Sequence, residues 1–243
     1  MPAVVEKPPV PSAARAAASV LREEILLKRS DGEWLGSEDD VLARLGVSRP
    51  TLRQAARLLE AEQLLVVKRG LKGGLFARRP TADGVAHIAS VFLRAQGTSL
   101  SDLVRTYLTI SEELARLAAS NPDPAERARL VELLDERDPL GGPEPDRRAL
   151  VRLRGEFAAL LADVTGSPTL SLFAKVLWEI GRTQTEPQFM LDPAELEGTR
   201  RRWRALAEAV KAGNVQRAVR LQRESNARTW AWVEEHLADQ RIR

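Results

Sequence analysis

Between Leu35 and Arg53 the chain reads L-G-S-E-D-D-V-L-A-R-L-G-V-S-R-P-T-L-R, which confines this stretch to two short helices joined by a tight turn. Ser37 and Asp40, three residues apart, have the form of a reciprocal N-terminal cap, and Val41, Leu42 and Leu45 supply the apolar positions of the first helix. Gly46 breaks that helix. Ser48 can cap the second, whose first turn tolerates Pro50 because the amides there have no intrahelical acceptors. Arg49, Thr51 and Arg53 then stand at its exposed beginning, the part of a helix-turn-helix that reaches base edges and phosphates in the major groove.

Downstream, the second helix continues through Ala55, Ala56, Leu58 and Leu59, and Leu64-Leu65-Val66-Val67 is a short run of strand type. Lys68-Arg69-Gly70-Leu71-Lys72-Gly73-Gly74 sets three cations among three glycines, and Leu75-Phe76-Ala77 can return as the second strand of a hairpin. The expectation is a winged helix-turn-helix, with a wing able to lay amides and cations on phosphates or to insert a side chain into the minor groove. Charge agrees regionally: over residues 44–79 nine cations stand against two anions, whereas the whole chain is only +3. Such a concentration suits counterion-release binding to a phosphate backbone, although an isolated charge run can equally be a solvated face.

A chain of 243 residues is longer than one winged helix, so a second domain with its own core is expected. The reading divides it into a loose arm at 1–10, a DNA-binding domain at 11–79, a linker at 80–84 and a helical domain at 85–243. In that last part, apolar residues recur at helical spacing between punctuation such as Asn121-Pro122-Asp123-Pro124, Gly166-Ser167-Pro168 and Gly213-Asn214. Helices are expected at about 83–95, 100–119, 124–136, 146–164, 168–187, 193–212 and 214–239. The fold class is therefore mainly α: a winged helix-turn-helix with a small β-hairpin wing, plus an all-α bundle of six or seven helices. Phe157, Phe173, Trp178, Trp203, Trp230 and Trp232 read as mostly core-facing. His87, on an apolar stretch, reads as a core or interface histidine, and His236 as solvated. The chain has no cysteine, no signal-peptide core near its start and no apolar run of membrane-spanning length, from which a cytoplasmic protein is expected.

The order of a leading helix at about Arg15 to Lys28, D-G-E-W-L-G-S-E, L-G-V-S-R-P-T-L-R and a Gly-rich wing resembles the N-terminal domain of GntR-type bacterial transcription regulators, over roughly residues 14–79. That resemblance implies DNA contacts from Arg49, Arg53 and the wing residue Arg69. Together with the residues read above, the candidate DNA-binding set is Ser37, Ser48, Arg49, Thr51, Arg53, Arg69, Lys72 and Gly73. Three positions depart from the family pattern. Gly36 stands where a proline is usual, Asp39 where a DNA-contacting arginine is frequent, and Gln63 where a glycine closes the second helix.

Further on, A-R-L-A-A (115–119), G-E-F-A-A-L-L-A-D-V-T-G-S-P-T-L (155–170) and W-R-A-L-A-E-A-V-K-A-G-N-V-Q-R-A (203–218) resemble the effector-binding domain of the FadR subfamily, over about residues 83–237. Most members hold a divalent metal with one aspartate and three histidines, and bind a small organic acid at or beside it. Those positions fall here on Arg154, Ala158, Trp203 and Ser225, and the chain contains just two histidines, His87 and His236. No metal and no other cofactor is expected. Fatty-acid-responsive members also lack the metal, so the resemblance allows a fatty acid or acyl thioester. Arg154 would supply a cation to an acidic effector beside an apolar or cation–π wall from Trp203, or else lie on a solvated face or pair with Glu156 or Glu208. Arg105 and Tyr107 are weaker pocket candidates.

Two functional classes follow. One is a ligand-responsive regulator that binds a pseudopalindromic double-stranded operator as a homodimer; the other is a DNA-binding protein whose helical domain only dimerises. An enzyme is disfavoured by the lack of a Gly-rich phosphate loop, a cysteine nucleophile, a histidine beside a plausible serine, or carboxylates at ligand spacing.

Overall fold

Ser12 opens α1 (Ala13–Lys28) by accepting the Arg15 amide, and Ala14, Ala17, Ala18, Leu21 and Ile25 form the helix's buried stripe. The structure, a computed structural model, describes residues 12–70, 73–137, 147–184, 193–237 and 240–242. After β1 (Trp34–Gly36), α2 (Glu38–Leu45) begins with the reciprocal cap that its sequence requires. Ser37 Oγ accepts the Asp40 amide at 3.2 Å, and Asp40 Oδ2 accepts the Ser37 amide at 2.9 Å. Gly46 ends α2 in the left-handed conformation, and Ser48 caps α3 (Arg49–Ala61). Leu52, Ala55, Ala56 and Leu59 of α3 meet the α1 stripe, with Leu35, Val41, Leu64, Leu65, Leu75 and Ala77 completing the core of this unit.

The wing strands are β2 (Leu65–Lys68) and β3 (Gly74–Ala77), paired antiparallel with Val66 opposite Phe76. A third strand, not expected from the sequence, is β1, which pairs with the other edge of β3 to give the order β1-β3-β2. At that seam the backbones approach so closely that a Cβ on Gly74 would lie 2.5 Å from the Gly36 carbonyl oxygen. Gly36 has φ of 129°, which the ring of proline cannot reach; the departure from the family pattern is thus a different backbone path. Gln63 adopts φ of 57° after α3, so the left-handed turn persists without its glycine.

The chain divides into two compact units, Met1–Gly84 and Val85–Arg243, and α4 (Ala82–Ala95) already starts within the stretch expected to be a linker. The second unit contains α5 (Leu100–Ser120), α6 (Pro124–Glu136), α7 (Arg147–Val164), α8 (Pro168–Gln184), α9 (Pro193–Lys211) and α10 (Val215–His236). Local caps start several of these: Ser99 for α5, Asp123 before Pro124 for α6, and Asn214 for α10. Helix α5 packs against α7, α8, α9 and α10, and a core of Leu114, Ala118, Leu130, Phe157, Leu161, Ala207 and Val210 fills the space. Residues 240–242 return to the start of α5, where the Gln240 carbonyl accepts the Leu100 amide at 2.8 Å and Ile242 is buried.

Two expectations about packing are corrected. Phe173 is 57% exposed, because α8 presents more apolar surface than its own unit covers, and His87 is exposed on α4, which removes the core reading and leaves the interface one. The expected arm at 1–10 and Lys72 fall outside the described residues.

Candidate nucleic-acid interface and effector cluster

Arg49 and Arg53 emerge from the first two turns of α3 with side chains 56% and 68% exposed, so their position is set by backbone and their reach is free. Both are nonetheless engaged. Arg49 Nη2 donates to Asp39 Oδ1 at 2.6 Å, and Arg53 Nε donates to Glu38 Oε1 at 3.2 Å. Glu38 Oε1 also lies 3.8 Å from Arg49 Nη1. The acids come from the first turn of α2, where a helix dipole favours negative charge. Ser37, Ser48 and Thr51 are spent on caps: Ser48 Oγ accepts the Thr51 amide at 3.3 Å and shares a hydrogen bond with Thr51 Oγ1. Ser37 thereby fixes the start of α2, and Ser48 with Thr51 the start of α3.

Arg69 is exposed at the wing, and Lys68 Nζ lies 4.4 Å from the centre of the Phe76 ring. Gly73 shapes the turn: its amide donates to the Gly70 carbonyl at 2.8 Å, and a Cβ there would come within 2.6 Å of the Lys68 carbonyl oxygen. A side chain is thereby excluded and the wing backbone left open for close approach. Asp39 stands out in the sequence only as a departure from the family pattern, and its pairing with Arg49, like that of Glu38 with Arg53, does not follow from spacing, because two adjacent acids at a helix start ordinarily read as a dipole complement.

In the helical unit, Arg154 of α7 lies over the Trp178 ring of α8, with Cζ 5.0 Å from its centroid, and the same ring meets Tyr107 of α5 at 5.6 Å. Burial pushes the Arg154 guanidinium down to about 10, against a smaller opposite effect of Tyr107. Burial likewise pushes the Tyr107 hydroxyl up to about 12, with the nearby Arg154 charge pulling the other way. At neutral pH the site therefore holds a cation beside a neutral phenol in a desolvated aromatic setting. Arg105, two residues before Tyr107 and so on the opposite side of α5, is exposed and stacks over Trp230 of α10 at 4.4 Å.

Trp203 takes a different place: it stacks on Phe157 at 5.6 Å and borders a cleft of about 320 Å³ with Leu134, Leu150, Leu153 and Arg200. The aromatic surface against Arg154 is thus Trp178, which the helical pattern had put with the core. Glu156, one of the alternative partners weighed for Arg154, is engaged by Arg137 at 2.7 Å. Ala158 and Ser225 are half-buried on α7 and α10. Next to Ser225, Asn226 is part of a buried polar knot in which its Nδ2 donates to the Leu108 carbonyl and its Oδ1 accepts from Ser111 and Gln222.

The metal implied by the subfamily does not fit these residues. A guanidinium packed on an indole, a methyl group, a second indole stacked on a phenyl ring and one hydroxyl offer no set of imidazole and carboxylate donors. Among the described residues, no group of three or more His, Asp or Glu side chains is placed to hold a metal ion.

A wing and an arginine-bearing second helix, joined in sequence to an all-helical unit, define a DNA-binding transcription regulator of the winged-helix type, not an enzyme. Residues 13–72 match the family described as "Bacterial regulatory proteins, gntR family", and residues 102–228 match the FCD domain. The chain belongs to the GntR family, with the winged-helix and FCD architecture of its FadR subfamily. It is similar to the HTH-type transcriptional repressor NanR of Citrobacter rodentium, 26% identical over 189 residues covering 73% of this chain and 70% of the relative. The NanR repressor of Cronobacter sakazakii is 27% identical over 168 residues, covering 65% of this chain and 62% of the relative. A solved structure of Streptococcus agalactiae GntR shares the fold, with a TM-score of 0.67 at 19% identity, covering 90% of this chain and 99% of that one. Among the described residues, no helix is long and apolar enough to cross a membrane.

Proposed function

We propose that this regulator binds a pseudopalindromic operator as a homodimer and that its helical domain responds to an organic or fatty acid, or an acyl thioester, bound without metal. The observation that carries this reading is Arg154, a half-buried cation lying over Trp178, whose ring also meets Tyr107; the family resemblance assigns Arg154 to the position of a metal-ligating aspartate. An acid entering a low-dielectric cavity needs a compensating charge, and a planar guanidinium can give a carboxylate two parallel hydrogen bonds. Operator contacts are assigned to Arg49 and Arg53 for base edges and to Arg69, Lys72 and the Gly73 backbone for phosphate. Val85, Ile88 and Phe92 form an exposed apolar face on α4, 45%, 69% and 63% exposed, which supports association with a second copy. The relatives' designation as repressors supports repression, in the cytoplasm.

A second reading keeps the DNA contacts and assigns the helical domain to dimerisation alone. It is favoured by the packing of Arg154 itself on Trp178, which makes the guanidinium part of the bundle's filling. A thermal-shift screen of fatty acids, acyl thioesters and aromatic acids against wild type and Arg154→Met separates the two. The sensing account expects a stabilising acid whose shift vanishes in the methionine variant. An acid that shifts both proteins equally removes Arg154 from the site, and a screen with no hit supports the dimerisation reading.

A further inference from the structure

We propose that Asp39 is a specificity-determining positioning residue: by holding the guanidinium of Arg49 it aims that fork at a base edge and withholds it from the phosphate backbone. The inference rests on α3 being the DNA-reading helix.

The geometry is local and complete. Arg49 is the first residue of α3, whose first turn has no acid of its own, so a cation sits at the positive end of a helix dipole. Asp39, from the first turn of α2, meets it at 2.6 Å, and Glu38 spans Arg53 at 3.2 Å and Arg49 at 3.8 Å. The third acid of that turn, Asp40, is occupied by its cap with Ser37 and is not available to either arginine. Asp39 is 73% exposed and Arg49 56% exposed, and an ion pair so open to water contributes little to folding stability. Its consequence lies in what Arg49 can do.

Guanidinium has five donors, and engagement of Nη2 by Asp39 fixes the plane of the fork while leaving other donors for a guanine O6/N7 edge. The same carboxylate opposes phosphate. Arg49, Arg53, Glu38 and Asp39 sum to zero charge, so this part of the surface releases no net counterions on non-specific duplex, and such binding must draw on cations elsewhere, such as Arg57, Lys68 and Arg69. Specificity is a difference of affinities, and a repulsive element against the wrong target widens it.

The test uses the full chain and randomised DNA duplexes. Wild type, Asp39→Ala, Asp39→Asn, Arg49→Ala and the Asp39→Ala/Arg49→Ala double variant are each used for selection. Affinity is then measured against salt on the wild-type-selected duplex and on a scrambled one, with thermal midpoints as the folding control. Both Asp39 variants should bind the scrambled duplex about tenfold tighter near 0.1 M salt, with a log–log salt slope steeper by about 0.9, the signature of one added phosphate contact. They should also lose base preference at the position that Arg49→Ala loses, and the double variant should lose no more there than Arg49→Ala does. Unchanged preference and scrambled-duplex affinity would overturn the proposal. So would loss of preference at a different base pair from Arg49→Ala, since Asp39 would then read a base itself. Failure of wild type to enrich any sequence would overturn the reading of α3 and this proposal together, which the other outcomes do not.

Discussion

Gln63 holds a backbone conformation that glycine takes without strain, at φ of 57°, and its buried Oε1 has no hydrogen-bond partner among the described residues. The αL cost for a residue with a Cβ is about 1–2 kcal/mol, partly offset by the greater freedom of glycine in the unfolded chain. Gln63→Gly should therefore raise stability by roughly 1 kcal/mol, read as a higher urea midpoint at unchanged slope; a lower midpoint would mean that the Gln63 packing against Gly84 outweighs the strain. Gly74 is the opposite case. Its φ of 141° and a would-be Cβ 2.5 Å from the Gly36 oxygen leave no accommodating motion except separation of β1 from β3. Gly74→Ala should cost at least about 1–3 kcal/mol, the price of such backbone strain, visible as a lowered thermal midpoint of the DNA-binding unit. Wild-type stability in that variant would mean that the seam is looser than described.

At the scale of elements, α1 and α3 are packed through alanines and leucines and pinned by Arg22, whose Nε and Nη2 donate to the two Glu62 oxygens at 2.7 and 2.6 Å. The Arg22 hydrogen bonds hold the Glu62 carboxyl below its ordinary value of 4.5, more than the small desolvation raises it. A depressed folded value means that the pair's contribution is present above pH 4.5 and is lost as pH falls through the depressed value. With side chains 33% and 40% exposed, the contribution is at most about 1 kcal/mol. Glu62→Gln should lower stability slightly at pH 7 and make the decline below pH 4.5 shallower; an identical acid limb in both proteins would remove Glu62 from it.

Helices with their own local punctuation were legible in the sequence. Ser37, Gly46 and Ser48 bracket α2 and α3 by side-chain and backbone chemistry that needs no tertiary partner, and Ser99, Asp123-Pro124 and Asn214 do the same in the bundle. What depended on distant contacts was not legible. Strand β1 is three residues long and exists because β3 offers it an edge, and residues 240–242 are ordered by the start of α5. The aromatic against Arg154 is chosen by how α7 meets α8, so periodicity left Trp178 with the core, and the family resemblance put Trp203 beside Arg154 instead. Phe173 shows the same limit, since an apolar residue at helical spacing reads as buried whether or not a neighbour covers it.

At the scale of the whole molecule, the proposed function assigns the helical unit an acid-sensing site built on a protein cation, Arg154, in place of a metal. Burial holds the Arg154 guanidinium down to about 10, and a methionine can keep the apolar contact with Trp178, so Arg154→Met should leave the thermal midpoint little changed while abolishing the response. The test is operator affinity with and without the stabilising acid, by fluorescence anisotropy on a duplex selected by wild type, for wild type and Arg154→Met in parallel, each with and without chelator. The account predicts that the acid changes the wild-type Kd at least about fivefold, the lower range of allosteric coupling, and leaves the variant's Kd unchanged. An equal change in both proteins, or a wild-type response that disappears with chelator, would contradict it.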